Sequence, residues 1–265
     1  IIKRRRRFFC TEPIKPLPLF ENKTFSSVKK IFLCLLTSLC LSGVSAQRDW
    51  AQFAKYEAAN RRIDYPVKAV FMGNSITDNW ALMDSVFFAE HRFVGRGISG
   101  QTSAEMLVRF RQDVIGLSPE AVVIMAGTND LAQNNGYIAL ENILGNIASM
   151  CELAKLHKIR PILCSVLPAY RFGWRQEVPA ADRIIELNGM IERYARENGI
   201  SYVDYHSALK DGRNGLPEKY SGDGVHPNPE CYKIMEAIVL PVIDKKPAKK
   251  VAVRTGGAKK HSWDR

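Results

Sequence analysis

Runs of apolar residues alternate with segments of helical periodicity along most of the chain. Five apolar runs have strand length, and between them apolar positions recur every three or four residues. The predicted strands are Val67–Met72, Phe93–Ile98, Ala121–Ala126, Arg160–Leu167 and Ile200–Tyr205. The predicted helices are Asp49–Ile63, Ser103–Ile115, Tyr137–His157, Ala180–Asn198 and Pro229–Val242. This alternation predicts one α/β domain over residues 47–244, with about five parallel strands and helices on both faces.

Three polar turns stand next to these predicted elements. Ser75 follows the first strand, Gly127–Asp130 follows the third strand, and Asp223–Pro227 precedes the last helix. Because the carboxyl ends of parallel strands meet at one edge of a sheet, we expect the three turns to converge. A helix that starts at Ser75 would direct unpaired N–H groups toward whatever is bound there.

Ser75, His226 and Asp223 have the residue types of a serine-based acyl-transfer site. A serine hydroxyl is a weak nucleophile until a base takes its proton, and the ordinary pKa of histidine suits that work. Asp223 lies three residues before His226, so one tight turn can direct both side chains the same way. The residue types alone leave other interpretations open. Ser75 could be a helix cap, His226 a structural histidine, and His206 the competing base.

Four short motifs occur in a fixed order along the chain. They read Gly-Asn-Ser-Ile-Thr, Gly-Ile-Ser-Gly-Gln-Thr, Gly-Thr-Asn-Asp and Asp-Gly-Val-His-Pro. Together they resemble the sequence blocks of the SGNH (GDSL-type) hydrolases, and they extend over residues 70–227. The resemblance implies a flavodoxin-like, three-layer α/β/α fold and the hydrolysis of esters.

The resemblance also implies a role for each matching residue. Ser75 matches the nucleophile and one member of the oxyanion hole, while Gly100 and Asn129 match the other two oxyanion donors. His226 matches the general base, and Asp223 matches the acid that orients it. Gly100 is suited to its position because it leaves room for close approach of the backbone to a substrate.

The first motif departs from the family pattern at one position. Asn74 stands where the family commonly has Asp, so the hydrogen bonding behind the nucleophile stays open. Thr77 replaces the second Gly of a Gly-x-Ser-x-Gly motif, which argues against the nucleophile elbow of the α/β-hydrolase fold. In the third motif, a capping role for Asp130 in the helix that follows it is left open as an alternative.

The formal net charge of +11 comes from the two ends of the chain. Residues 1–46 hold nine Lys and Arg against two acidic residues, and residues 245–265 hold eight against one. Each end therefore carries +7, which leaves −3 for the segment between them and gives no argument for nucleic-acid binding. The basic segment 245–265 has little apolar content and is predicted to be a disordered tail.

The first part of the chain has the layout of a leader. Two lysines precede the apolar run Ile31–Ser42, and Val44–Ala46 is a small-x-small cleavage signal. This layout predicts a signal peptide over about residues 28–46 and an exported product, periplasmic or secreted. The run is too short to span a bilayer, and no lipobox is present, so no stable membrane anchor is expected. Residues 1–27 are interpreted as lying upstream of a start at Val28, with a long translated leader as the alternative.

Cysteines and common motifs give no sign of a metal or cofactor. Three of the six cysteines lie in the leader, and Cys151, Cys164 and Cys231 remain, an odd number without metal-like spacing. We therefore expect no essential disulfide. No His-Glu-x-x-His, Cys-x-x-Cys or phosphate-loop motif occurs, so neither a metal nor a cofactor is expected.

These observations predict an exported serine esterase that removes small acyl groups, chiefly acetyl, from carbohydrates. Trp80, Tyr170 and Trp174 are aromatic residues near the predicted site, and they either stack on a sugar ring or pack within the fold. Two other functions stay open. One is a lipid esterase similar to lysophospholipases or platelet-activating-factor acetylhydrolases, and the other is a non-catalytic glycan-binding relative. The sequence leaves the oligomeric state open.

Overall fold

The fold is built on one parallel β-sheet. The structure is a computed structural model that describes residues 49–245, so the predicted leader, its signal peptide and nearly all of the predicted basic tail lie outside the described residues. The strands are β1 Ala69–Gly73, β2 Phe93–Gly97, β3 Ala121–Ile124, β4 Arg160–Cys164 and β5 Ser201–Val203. They are ordered β2-β1-β3-β4-β5, and every pairing is parallel. This is the flavodoxin-like strand order, and it confirms the predicted fold class.

The five predicted helices are all present, with slightly different ends. The longer helices are α1 Ala54–Arg61, α2 Ser75–Met83, α4 Ser103–Asp113, α6 Leu140–Leu156, α7 Ala180–Glu197 and α9 Pro229–Asp244. The shorter ones are α3 Ser85–Glu90, α5 Thr128–Leu131 and α8 Tyr205–Leu209. A 3₁₀ turn covers Ile115–Leu117. Four of the five strand predictions run past the observed carboxyl ends, because mainly apolar residues continue into the loops, whereas β1 begins two residues later and ends one residue later than predicted.

Successive residues of the strands face opposite sides of the sheet. Val70 and Met72 pack into a core with α4, α6 and α7. Ala69 and Phe71 pack into a second core with α2, α3 and α9. Because both faces are covered, β1 and β3 are buried throughout and read as continuous apolar runs in the sequence, whereas β5 is partly exposed at Ser201 and Tyr202. The result is a three-layer α/β/α arrangement.

The three cysteines of the described chain are buried and unbonded. Burial raises the pKa of the Cys151 and Cys231 thiols to about 12. Within residues 49–245, no helix combines the length and the apolar character needed to cross a membrane.

Candidate active site

Ser75 is the first residue of α2, directly beyond the carboxyl end of β1. Asn74 is the N-cap, and its side-chain oxygen accepts a 3.1 Å hydrogen bond from the N–H of Ile76. The departure from the family pattern at Asn74 therefore leaves a residue that caps the helix in the usual way. Ser75 itself is partly exposed, so its hydroxyl is accessible at the edge of the sheet.

The start of α2 lies against the end of β2, and Gly97 makes this approach possible. A Cβ atom on Gly97 would lie 2.1 Å from the backbone nitrogen of Asp78 and 2.6 Å from the carbonyl oxygen of Asn74. Any side chain at Gly97 would push the helix away from the sheet. The glycine therefore helps to set where the hydroxyl of Ser75 stands.

The predicted nucleophile, base and acid form one hydrogen-bonded relay. The Oγ of Ser75 lies 2.9 Å from the Nε2 of His226, and the Nδ1 of His226 lies 2.6 Å from the Oδ2 of Asp223. The other oxygen of Asp223 accepts hydrogen bonds from the Ser221 hydroxyl and from the N–H groups of Val225 and His226, at 2.8–3.0 Å. One turn thus holds the acid and the histidine in a fixed relation, as the three-residue spacing predicted.

The charge of Asp223 follows from these contacts. Partial burial raises the pKa of the carboxyl, but hydrogen bonds from the backbone and ring of His226 and from Val225 outweigh it and lower the pKa to about 2. Asp223 is therefore ionised at neutral pH. An ionised carboxylate selects the tautomer with a proton on Nδ1, which leaves the lone pair of Nε2 facing the hydroxyl of Ser75.

The two other predicted oxyanion residues lie in neighbouring loops. Gly100 has φ +83° in the turn between β2 and α4, a conformation that favours glycine. Within residues 49–245, the backbone N–H groups of Ser75 and Gly100 make no hydrogen bond. One side-chain N–H of the buried Asn129 donates to the carbonyl oxygen of Gln101 at 2.9 Å, and the amide carries a second N–H. Asn129 is thus attached to the loop that contains Gly100.

Asp130 holds the residue that follows the same loop, and it does not have the capping role that the sequence left open. Its carboxylate does not cap the helix that follows. It accepts hydrogen bonds from the N–H of Ser103, at 2.9 and 3.0 Å, and from the Ser103 hydroxyl at 2.5 Å. Burial raises the pKa of Asp130, and the hydrogen bonds from Ser103 oppose that shift. The third motif therefore fixes the second motif through two adjacent residues.

The three aromatic residues predicted for substrate binding divide into two groups. Trp80 is 1% exposed, donates from Nε1 to the Oε1 of Glu236 at 3.2 Å and stacks on Tyr232. The prediction that it contacts substrate was wrong, because α2 turns it into the core. Tyr170 and Trp174 remain 53% and 46% exposed on the loop after β4.

Trp174 connects the histidine to the loop of Gly100. Its ring is stacked near the imidazole of His226, with centroids 6.5 Å apart. Its Nε1 donates to the side-chain oxygen of Asn134 at 3.0 Å, and the Nδ2 of Asn134 donates to the carbonyl oxygen of Gly100 at 3.3 Å. Asn134 was missed by the sequence analysis, because a polar residue in a loop has no distinguishing pattern.

His206, the competing histidine, is buried away from solvent and does not contact Ser75. Its backbone N–H donates to the hydroxyl of Ser165 at 2.9 Å, and its Nε2 has no partner among the described residues. Burial, together with the charge of Lys210, lowers the pKa of His206. The structure thus assigns the contact with the hydroxyl of Ser75 to His226.

A buried arginine, also missed, lies behind these loops. Arg109 is fully buried on α4 and donates to the carbonyl oxygen of Gly73 at 2.9 Å, to the Oε1 of Gln101 at 2.5 Å and to the carboxylate of Asp113 at 2.9 Å. Burial lowers the pKa of Arg109, while Asp113 raises it. The sequence did indicate that Arg109 is buried, because Arg109 lies three residues after Met106 and so falls on the predicted apolar face of the helix.

Across residues 49–245, no group of three His, Cys, Asp or Glu side chains is arranged to hold a metal ion. The chemistry available at this edge of the sheet is that of a serine hydroxyl, an imidazole, a carboxylate and free N–H donors. Together, these groups can attack a carbonyl carbon and stabilise the oxyanion that forms.

The fold and the site define an acyl hydrolase with a parallel α/β/α architecture. A sequence profile of the GDSL-like Lipase/Acylhydrolase family matches residues 71–234, and the chain belongs to this family. It is a carboxylic ester hydrolase. The predicted family is confirmed.

Individual relatives agree with this assignment. The crystal structure of a GDSL-like lipase from Bacteroides thetaiotaomicron VPI-5482 superposes on this chain with a TM-score of 0.71. The two sequences are 48% identical, and the match covers 73% of this chain and 98% of that chain. An acetylxylan esterase from Xylanibacter ruminicola is 23% identical over 67% of this chain. An acetylxylan esterase from Geobacillus stearothermophilus is 24% identical over 56% of this chain. The chain spans 43% and 70% of the lengths of these two esterases, respectively.

Proposed function

We propose that the chain is a serine esterase that removes small acyl groups, chiefly acetyl, from carbohydrates. The observation that carries this proposal is the relay from Ser75 through His226 to Asp223, with contacts of 2.9 and 2.6 Å. A non-catalytic glycan-binding protein would have no need for this geometry.

In the proposed first step, Nε2 of His226 takes the proton of Ser75 as Oγ attacks the ester carbonyl. The N–H groups of Ser75 and Gly100 and the amide of Asn129 donate to the oxyanion. The negative charge of Asp223 stabilises the imidazolium. His226 then gives its proton to the departing sugar oxygen, and an acyl group remains on Ser75.

In the second step, the same histidine activates water. Nε2 of His226 takes a proton from the water molecule as its oxygen attacks the acyl carbon. The tetrahedral intermediate collapses, the ester bond to Ser75 breaks, and His226 returns the proton to Oγ. The products are a carboxylic acid and the deacylated sugar.

Several observations support a carbohydrate ester over a lipid ester. Two relatives are described as acetylxylan esterases. The cavity beside Asp223 is lined largely by polar side chains rather than by a long apolar trough, and Tyr170 next to it presents an exposed ring. Trp174, which is bridged to Gly100 through Asn134, presents a second partly exposed ring beside His226.

We also propose that the protein is exported. The support is the leader pattern in the sequence, two lysines, an apolar run and a small-x-small site, over about residues 28–46. An exported enzyme meets glycans outside the cytoplasm, which fits the proposed substrate.

The test combines one substitution with a substrate series. Ser75→Ala is expected to lower the turnover of p-nitrophenyl acetate by about a million-fold in kcat, down to the background rate. Ser118→Ala, an exposed serine just before β3, is the control and should match the wild type. Acetate esters should be cleaved faster than octanoate esters, and acetylated xylo-oligosaccharides should release acetate. Faster cleavage of octanoate would support the lipid esterase instead, and full activity of Ser75→Ala would refute the serine mechanism.

A further inference from the structure

A cavity of about 540 Å³ lies directly beside Asp223. It forms between the loop that follows β4 and the loop that joins α8 to α9. This volume is within the range of small-molecule binding sites. The side chains that give it chemical character are those of Tyr170, Arg171, Gln176, Arg213, Glu218 and Asp223.

Two arginines from different loops line this cavity. Arg171 is exposed and forms no ion pair among the described residues. The guanidinium of Arg213 lies 5.0 Å from the centre of the Tyr170 ring, and its Nε is 3.6 Å from the carboxylate of Asp211. A planar guanidinium held against an aromatic ring keeps its edge N–H groups available for a carboxylate.

The walls of the cavity are held by backbone contacts. The Oδ1 of Asp211 accepts hydrogen bonds from the N–H groups of Arg213 and Gly215, at 2.8 and 2.9 Å. Gly215 packs against Tyr170 so closely that a Cβ atom there would lie 2.9 Å from the Cβ of Tyr170. The two loops therefore meet, and little ordering is needed when a ligand binds.

Two carboxylates, those of Asp223 and Glu218, also line the cavity and balance the formal charge of the two arginines. The carboxylate of Asp223 is engaged by His226, Val225 and Ser221. Glu218 is exposed and is the other carboxylate of the lining. Arg213 is paired with Asp211, whereas Arg171 forms no ion pair among the described residues, so an anion that enters the cavity would pair first with Arg171.

We propose that this cavity binds the carboxylate of a uronic acid residue that neighbours the acylated sugar in an acidic glycan. The proposal rests on the proposed carbohydrate esterase function and names its substrate class. A sugar carboxylate matches the fork of a guanidinium. The cavity shares Asp223 with the relay, so the acidic sugar lies close to the sugar whose ester faces Ser75.

The test compares two acetylated xylo-oligosaccharide preparations, one with glucuronic acid branches and one without. The wild type is expected to show about a tenfold higher kcat/KM for the acidic preparation, and added NaCl should reduce this ratio. In the Arg171→Gln/Arg213→Gln double variant, the ratio should fall to about one. The matched control is Arg193→Gln, an exposed arginine in the second half of α7, which should keep the wild-type ratio. The melting temperature of each variant checks that it folds.

The outcomes separate this proposal from the proposed function. Equal kcat/KM on the two preparations, or a ratio that the double variant keeps, would overturn the uronic acid site while leaving the esterase intact. Failure to release acetate from either preparation, with p-nitrophenyl acetate still hydrolysed, would overturn the carbohydrate assignment itself. Free glucuronate should compete with the acidic preparation more strongly than sulfate at matched ionic strength. Equal competition would mean a general anion site and would also contradict the proposal.

Discussion

The guanidinium of Arg109 donates a 2.9 Å hydrogen bond to the carbonyl oxygen of Gly73, two residues before Ser75. The same guanidinium bonds to the side chain of Gln101, next to Gly100. A charge with no exposure to solvent thus joins the strand that carries the nucleophile to the loop that carries an oxyanion donor. Its contact with Asp113 compensates part of the cost of removing the charge from water.

Replacing Arg109 should therefore damage both stability and activity. Arg109→Met leaves the carboxylate of Asp113 buried without its partner, and we expect a loss of about 3–5 kcal/mol in the free energy of unfolding. Urea denaturation measures this loss. Arg111→Met changes an exposed arginine on the same helix and should stay within about 0.5 kcal/mol of the wild type. Equal stability of the two variants would show that the buried contacts contribute little.

Asp223→Asn should lower kcat by about a thousand- to ten-thousand-fold. An amide in place of the carboxylate no longer selects the tautomer that leaves Nε2 free to accept the proton of Ser75, as in the Asp-to-Asn change of chymotrypsin-like proteases. Steady-state hydrolysis of p-nitrophenyl acetate measures the effect. Asp182→Asn, at an exposed position in the first turn of α7, serves as the control. A decrease of less than tenfold for Asp223→Asn would show that the acid has little part in the reaction.

Asp223 should also contribute to the pH dependence of stability. Its pKa is about 2 in the folded chain, below the ordinary value of 3.8. A carboxyl with a lowered pKa stabilises the fold above about pH 4, and this contribution is lost as the pH falls toward 2. The difference in unfolding free energy between wild type and Asp223→Asn should therefore shrink from pH 6 to pH 2.5. A difference that stays constant over this range would contradict the prediction.

Gly100→Ala tests whether the Gly100 N–H contributes to catalysis, and Gly136→Ala controls for the backbone strain that alanine introduces at a positive φ. Gly100 and Gly136 both have positive φ, and among the described residues no atom lies within 4 Å of the place that an added Cβ would take. Alanine should cost each site about 1 kcal/mol of stability, because of the backbone conformation. Only Gly100→Ala should also lower kcat, by about tenfold or more, since it shifts an N–H donor of the proposed oxyanion hole. Equal kcat for the two variants would argue that the Gly100 N–H does not contact the transition state.

Trp174→Phe separates stacking from hydrogen bonding. Phenylalanine keeps a ring beside His226 but removes the N–H that donates to Asn134. We expect a few-fold decrease in kcat/KM, and a larger decrease for Trp174→Ala, which removes both contacts. Trp50→Phe, at an exposed site near the start of the described chain, should have no effect. Identical activity of the Phe and Ala variants would show that the stacked ring itself contributes nothing.

The sheet could be predicted from sequence because the central strands β1, β3 and β4 are buried on both faces and are therefore mainly apolar. Helices α5 and α8 were missed, since four or five residues are too short to show a period. The contacts of Ser75 with His226 agree with the convergence expected at one sheet edge.

The errors at the site have a different cause. Trp80 was misplaced because the sequence cannot show which way a helix turns each side chain. Arg109 and Asn134 act through contacts with residues far away in the chain, and such contacts exist only once the fold has formed. The motif residues were predicted because their spacing is local or because they resemble a family pattern.

The burial of Cys151, Cys164 and Cys231 has a practical consequence. None of these thiols meets solvent in the folded state, so a thiol reagent should label them only when the core opens. Cys151 lies in the core on one side of the sheet and Cys231 in the core on the other side. The rate at which each thiol is labelled therefore reports how often the core around it opens. Residues 49–245 thus carry three native probes of local opening that require no engineered label.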